Sequence, residues 1–120
     1  MRKSTKHRTA SSLPAGLFAL HADICKTLAH PKRLQILHAL RSGERSVAAL
    51  RARLRISKTN LSQHLAILRG RNVVVSRRQG ANIYYSVSSS KIIRACDLMR
   101  EVLDEHMRRS SRMMRSWRRR

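Results

Sequence analysis

Ser57-Lys58-Thr59-Asn60-Leu61-Ser62-Gln63-His64, running on into Leu65-Ala66-Ile67-Leu68-Arg69, orders the rest of the chain around itself. Leu61, Leu65 and Leu68 recur at helical spacing and predict a helix with one buried face. Ser57 stands where an N-cap belongs. The other face carries Lys58, Thr59, Asn60, Ser62 and Gln63. A helix face that meets only water usually carries Glu and Lys. These short, mostly uncharged side chains can donate to and accept from base edges, as a helix in the DNA major groove must. His64 adjoins the leucines and is divided between that face and a hydrogen bond inside the fold.

The charge agrees. The 120 residues hold 27 Lys and Arg against 6 Asp and Glu, a formal net charge of +21. A charge of that size needs an anionic partner, and nucleic acid is the usual one. Its placement says more. From Arg45 to Cys96 there is no acid, whereas Asp97, Glu101, Asp104 and Glu105 share one later segment. The basic middle is expected to face phosphates and the mixed segment something else.

Upstream, residues 13–28 place Leu13, Leu17, Leu20, Ile24 and Leu28 on one helical stripe, with Phe18, His21 and Cys25 beside it. Pro31 suits the first position of a second helix, capped by His30. That helix buries Leu34, Ile36, Leu37 and Leu40 and stops at Ser42-Gly43. Ser46 caps a short third helix with Val47, Leu50 and Leu54 inward. Downstream, Gly70-Arg71-Asn72 ends the fourth helix. Val73–Arg78 and Ile83–Val87, joined by Gln79-Gly80-Ala81-Asn82, predict a two-stranded hairpin with Arg77 and Arg78 at a cationic tip. Beside a recognition helix, those two arginines are placed for phosphates or the minor groove. Ser88-Ser89-Ser90 caps a last long helix from about Lys91 to about Arg109. The order α-α-α-α-β-β-α is a mainly α, winged helix-turn-helix fold. We divide the chain into a disordered basic tail (1–12), the winged domain for DNA binding and dimerisation (13–109), and an Arg-rich C-terminal tail (110–120).

Three stretches carry a family resemblance. They are Leu28-Ala29-His30-Pro31-Lys32-Arg33-Leu34-Gln35-Ile36-Leu37, then Ile56-Ser57 with Ser62-Gln63-His64-Leu65-Ala66-Ile67-Leu68, then Arg77-Arg78-Gln79-Gly80 with Tyr84-Tyr85. Over roughly 17–108 the chain resembles the ArsR/SmtB family of winged-helix repressors. The resemblance implies a homodimer built from the first and last helices. It also implies binding at an inverted-repeat operator, and release by an inducer. On this chain the dimer would bring together Leu17, Leu20, Leu98, Val102 and Leu103. Two metal motifs of the family are missing. Ser46-Val47-Ala48-Ala49-Leu50-Arg51 holds no Cys-x-Cys. Asp104-Glu105-His106 matches half of the zinc motif on the last helix, but Trp117 and Arg120 stand where its second half belongs.

The signal is therefore open. Cys25 and Cys96 are either buried small hydrophobes or a thiol sensor for oxidants, sulfur species or a metalloid. The resemblance packs their two helices together, which would bring the sulfurs within reach of one another. Lys26 and Arg94 favour the reactive thiolates, and Asp97 opposes this for Cys96. His21 and Cys25 share a helix face and could hold one metal ion if a third ligand joined them. No other resident cofactor is implied. A non-specific basic architectural protein is the competing function, and it would lack preference for one operator. Nothing near the polar face resembles an enzyme's carboxylate pair, phosphate loop or triad. No apolar run approaches a membrane span, and His21 and Asp23 interrupt the only stretch that imitates a signal peptide, so a cytoplasmic location is expected.

Overall fold

A computed structural model of the chain describes residues 13–118. Its order is α1 (Ala15–Leu28), α2 (Pro31–Ala39), β1 (Arg45–Ser46), α3 (Val47–Leu54), α4 (Lys58–Gly70), β2 (Val74–Gln79), β3 (Asn82–Val87) and α5 (Ser90–Arg118). The basic stretch 1–12 lies outside the described residues.

The predicted caps are all used. His30 Nδ1 accepts from the Lys32 amide at 3.1 Å at the start of α2, with Pro31 in its first turn. Ser46 Oγ accepts from the Ala49 amide and Ser57 Oγ from the Asn60 amide, each at 3.1 Å, and these bonds open α3 and α4. Each satisfies an amide that the helix itself leaves unpaired. The turn between α3 and α4 is made at Arg55, in the left-handed region at φ 51°. After α4, Asn72 takes φ 59°, a conformation Asn tolerates better than most residues.

The core forms where the helices meet the sheet. Leu61, Leu65 and Leu68 of α4 are at most 1 % exposed and pack with Ile36 and Leu37 of α2, Leu40 at its C-cap, Leu50 of α3, Val73, Val74 and Tyr85. Ile24 and Leu28 hold the end of α1 onto this cluster. Leu34, expected inside, lies 44 % exposed. The packing of α2 is centred on Ile36, Leu37 and Leu40, and this turns Leu34 toward α5.

The sheet has three strands, not the two of the predicted hairpin. Their order is β1-β3-β2, all antiparallel, with Arg45 opposite Tyr85 and Ser46 opposite Tyr84. A two-residue strand has no alternation to read, so β1 leaves no trace in the hydrophobic pattern. The β2–β3 turn closes between Gln79 and Asn82, with Gly80 at φ 61°. α5 also differs from expectation, since it continues past Arg109 to Arg118. Its 29 residues make a rod about 44 Å long. Leu98, Met99, Val102, Leu103, Met107, Met113 and Met114 stand exposed along it. Among the described residues no helix is long and apolar enough to cross a membrane.

Candidate nucleic-acid interface

The three buried leucines fix which side of α4 faces outward. At about 100° per residue, Thr59, Gln63 and Ala66 lie opposite them, with Asn60 and Ser62 on the flanks. Ser57, Lys58, Thr59, Asn60, Ser62 and Gln63 are all exposed. The first turn of α4 holds no acid. No carboxylate there opposes the positive end of its dipole.

Beside this face runs a groove of about 310 Å3 between α4 and the wing, lined by Lys58, Ser62 and Arg69 on one side and Asn82 and Ile83 on the other. Arg69 donates from Nη1 to Ser76 Oγ at 3.4 Å, tying helix to wing. Arg69 and the groove-lining Asn82 were not picked out from the sequence. The signal for Arg69 was present, since Lys58, Ser62 and Arg69 recur at helical spacing.

His64 belongs to the inside of the fold. Its Nδ1 accepts from Arg33 Nε at 3.3 Å, and its ring lies 4.5 Å from that of His30. Arg33 also donates from Nη1 to the Thr27 carbonyl at 2.9 Å. One arginine thus joins the end of α1 to the middle of α4. Burial pushes the His64 imidazole below its ordinary pKa, and the nearby charges of His30, Arg33 and Lys32 act the same way. The neutral ring is the one that can accept from Arg33.

The two wing arginines part company. Strand alternation puts Ser76 and Arg78 on the face turned to α4, and Arg77 on the other. Arg77 lies across from Tyr84, with its guanidinium 4.7 Å above that ring. It donates to both carboxylate oxygens of Glu44 at 2.7 Å and to Gln79 Oε1 at 2.7 Å. Arg78 is exposed.

The cysteines are free, Cys25 exposed on α1 and Cys96 half-buried on α5. Cys96 lines an apolar cavity of about 140 Å3 between α2 and α5, with Leu34, Leu37, Met99 and Leu103. Burial pushes its thiol up, Arg100 pulls it down, and Asp97 raises it further. The expectation of a thiolate favoured by Arg94 is thus reversed at Cys96, because desolvation of the charged form dominates. At the cavity mouth Arg41 holds both oxygens of Asp97, at 3.0 and 2.8 Å, and Arg100 engages the same carboxylate. The Arg41 bond, helped by Arg100, holds the Asp97 carboxyl down at about 2. Cys25 is not brought beside Cys96 by the main packing: α1 rests on α2 and α4, and α5 on α2 and β3. Among the described residues no three His, Cys, Asp or Glu side chains gather as a metal site, so His21 and Cys25 have no third ligand there.

A helix-turn-helix with an exposed polar second helix and a basic wing defines a winged-helix DNA-binding regulator. Residues 30–76 match the family described as bacterial regulatory protein, arsR family. The chain is 40 % identical over 88 residues to the HTH-type transcriptional regulator Rv0081 of Mycobacterium tuberculosis, covering 72 % of this chain and 77 % of that protein. The crystal structure of Rv0081 superimposes with a TM-score of 0.71 at 37 % identity, over 78 % of this chain and 95 % of the other. A biofilm growth-associated repressor of Agrobacterium fabrum is 40 % identical over 78 residues, 65 % of this chain and 67 % of the repressor. The homodimeric winged helix-turn-helix domain Mb0332 of Mycobacterium bovis, solved by NMR, matches with a TM-score of 0.71 at 33 % identity, over 83 % of this chain and 91 % of that one. The chain belongs to the arsR family of bacterial regulatory proteins, and it is a DNA-binding transcriptional regulator, not an enzyme.

Proposed function

We propose that the protein is a homodimeric repressor that reads an inverted-repeat operator through α4 and occupies it until a thiol-reactive signal releases it. The observation that carries the base-reading part is the outward face of α4. Thr59, Asn60, Ser62 and Gln63 are exposed and uncharged, on a helix held from behind by three leucines at most 1 % exposed. A binder of phosphates alone needs cations there and no amides. Asn60 and Gln63 have the donor–acceptor pair that matches adenine in the major groove. Lys58, Ser57 and Arg78 supply backbone contacts that set the register. His64 supports α4 from inside.

Dimerisation is supported by the apolar surface the protomer leaves bare, with Leu17 and Leu20 on α1 and Leu98, Val102 and Leu103 on α5. Mb0332, which shares the fold, is homodimeric. For the signal, Cys25 is open to reagents and Cys96 sits at the α2–α5 joint, where a bulky or charged adduct would disturb packing. With α1 and α5 at the dimer interface, a link between the two sulfurs would form across protomers. It would shift the spacing of the two α4 helices, which the DNA requires to be fixed. A metal at His21 and Cys25 is the weaker reading, because no third ligand stands beside them among the described residues.

Footprinting on the DNA upstream of the protein's own gene, with and without reductant, tests the proposal. A protected inverted repeat that is lost on oxidation is the expected result. Even coverage of all DNA would replace the proposal with the non-specific architectural one.

A further inference from the structure

We propose that Glu44 is a built-in counter-ion of the wing: it holds Arg77 away from DNA phosphates and so lowers the protein's affinity for DNA in general. The proposal rests on the wing lying at the DNA, as argued above, and adds a residue that sets the general affinity.

The geometry is a clamp. Glu44 directly precedes β1, which pairs with β3, which pairs with β2. In this register Ser46, Tyr84 and Arg77 lie in one row, and alternation puts Glu44 on the same outer face. Arg77 reaches back over the Tyr84 ring and meets both oxygens of Glu44 at 2.7 Å, a bidentate pair, with Gln79 Oε1 as a third acceptor. Planar two-point pairing is the arrangement in which guanidinium binds carboxylate best, and it uses the same donors a phosphate would take. The Arg77 bond holds the Glu44 carboxyl below its usual range. The pair thus favours the charged form of Glu44.

Its position adds weight. Glu44 is followed by no other acid until Asp97, so it is the last negative charge before the basic middle that holds the recognition helix and wing. A protein of formal charge +21 binds random DNA through phosphates, and each cation withdrawn from that task weakens binding to every sequence by about one phosphate contact. Arg78, on the face turned to α4, is left as the wing's phosphate-facing cation.

The test is a double-mutant cycle on random-sequence duplex DNA, with Glu44→Gln, Arg77→Gln and the double variant, each titrated between about 50 and 200 mM salt. Glutamine keeps the shape of Glu44 and removes its charge. Each extra phosphate contact steepens log K against log salt by about 0.9. Glu44→Gln should steepen the slope by about that amount per protomer and raise random-DNA affinity several-fold. Arg77→Gln should flatten the slope by about 0.9 in the Glu44→Gln background and by less than half of that alone. An unchanged slope in Glu44→Gln overturns the proposal. So does an equal effect of Glu44→Gln with and without Arg77, which would mark simple removal of a negative charge. Because the probe is random DNA, the outcome is independent of whether α4 reads bases.

Discussion

Val102→Asp should turn the protein into a folded monomer. On the protomer Leu17, Leu20, Leu98, Val102 and Leu103 are 45, 64, 61, 42 and 52 % exposed. Fully burying such a side chain is worth about 1.5–3 kcal/mol, so covering the bare half of each returns about 1 kcal/mol or a little more. Five side chains on each of two protomers then supply about 8–15 kcal/mol, from which association removes about 4–15 kcal/mol. The margin is narrow and depends on the whole set. A two-fold interface counts every substitution twice. Each new Asp forfeits about 1 kcal/mol of apolar burial and places an unpaired carboxylate in an apolar contact, at several kcal/mol more. The sum exceeds roughly 6 kcal/mol, about four powers of ten in dissociation constant. Sedimentation velocity at micromolar concentration should show a dimer for the wild type and a monomer for Val102→Asp. Circular dichroism should still show the helical fold, because Val102 takes no part in the buried cluster. A wild-type monomer, or a Val102→Asp dimer, would refute the reasoning.

Three further outcomes are expected. His64 has a folded pKa below its ordinary value, so the unfolded chain takes up its proton first. Its share of stability is therefore complete above about pH 6.5 and is lost as the pH falls below that toward the folded value. The urea midpoint of the wild type should drop more between pH 7.5 and 5.5 than that of His64→Gln, and parallel curves would exclude His64 as the group responsible. Leu68, fully buried, should cost about 2–5 kcal/mol on truncation to Ala, while Ile67→Ala, at 42 % exposure, should cost much less; similar urea midpoints for the two would contradict the assigned face of α4. Polysulfide, peroxide and arsenite, applied in turn, should weaken operator binding by the wild type, with Cys25→Ser and Cys96→Ser each resistant. Mass spectrometry should find Cys25 modified before the half-buried Cys96, and binding unchanged by all three reagents would remove the thiols from the sensing role.

The parts legible in the sequence were those with a period or a cap. Leu61, Leu65 and Leu68 announced α4 and its hidden face, and His30, Ser46 and Ser57 marked helix starts that the structure uses. The polar face of α4 followed by subtraction. Short and non-local features escaped. β1 is two residues long, and only its pairing with β3 makes it a strand. Glu44 sits 33 residues from Arg77, and no spacing rule joins them. Arg33 and His64 are separated by 31. Residues 110–118 hold only Met113, Met114 and Trp117 as apolar residues among arginines and serines, a short stripe that was not read as helix. Cys96 shows the limit of reading charge from neighbours in the chain. Arg94 is close in sequence, yet burial, Arg100 and Asp97 are what act on the thiol, and only Asp97 was among the neighbours the sequence offered.

Competition binding with Gln63→Ala and Arg78→Ala tests the central claim, that α4 reads base sequence. Each variant is measured against an operator, against operators changed one base pair at a time, and against random DNA. Gln63→Ala should lose about 1–3 kcal/mol on the operator, lose little on random DNA, and relax preference at one base pair in each half-site. Arg78→Ala should weaken binding to every sequence about equally and flatten the salt dependence by about 0.9 per protomer. If the two variants lose the same affinity on operator and on random DNA, α4 does not read bases and the protein holds DNA by charge alone.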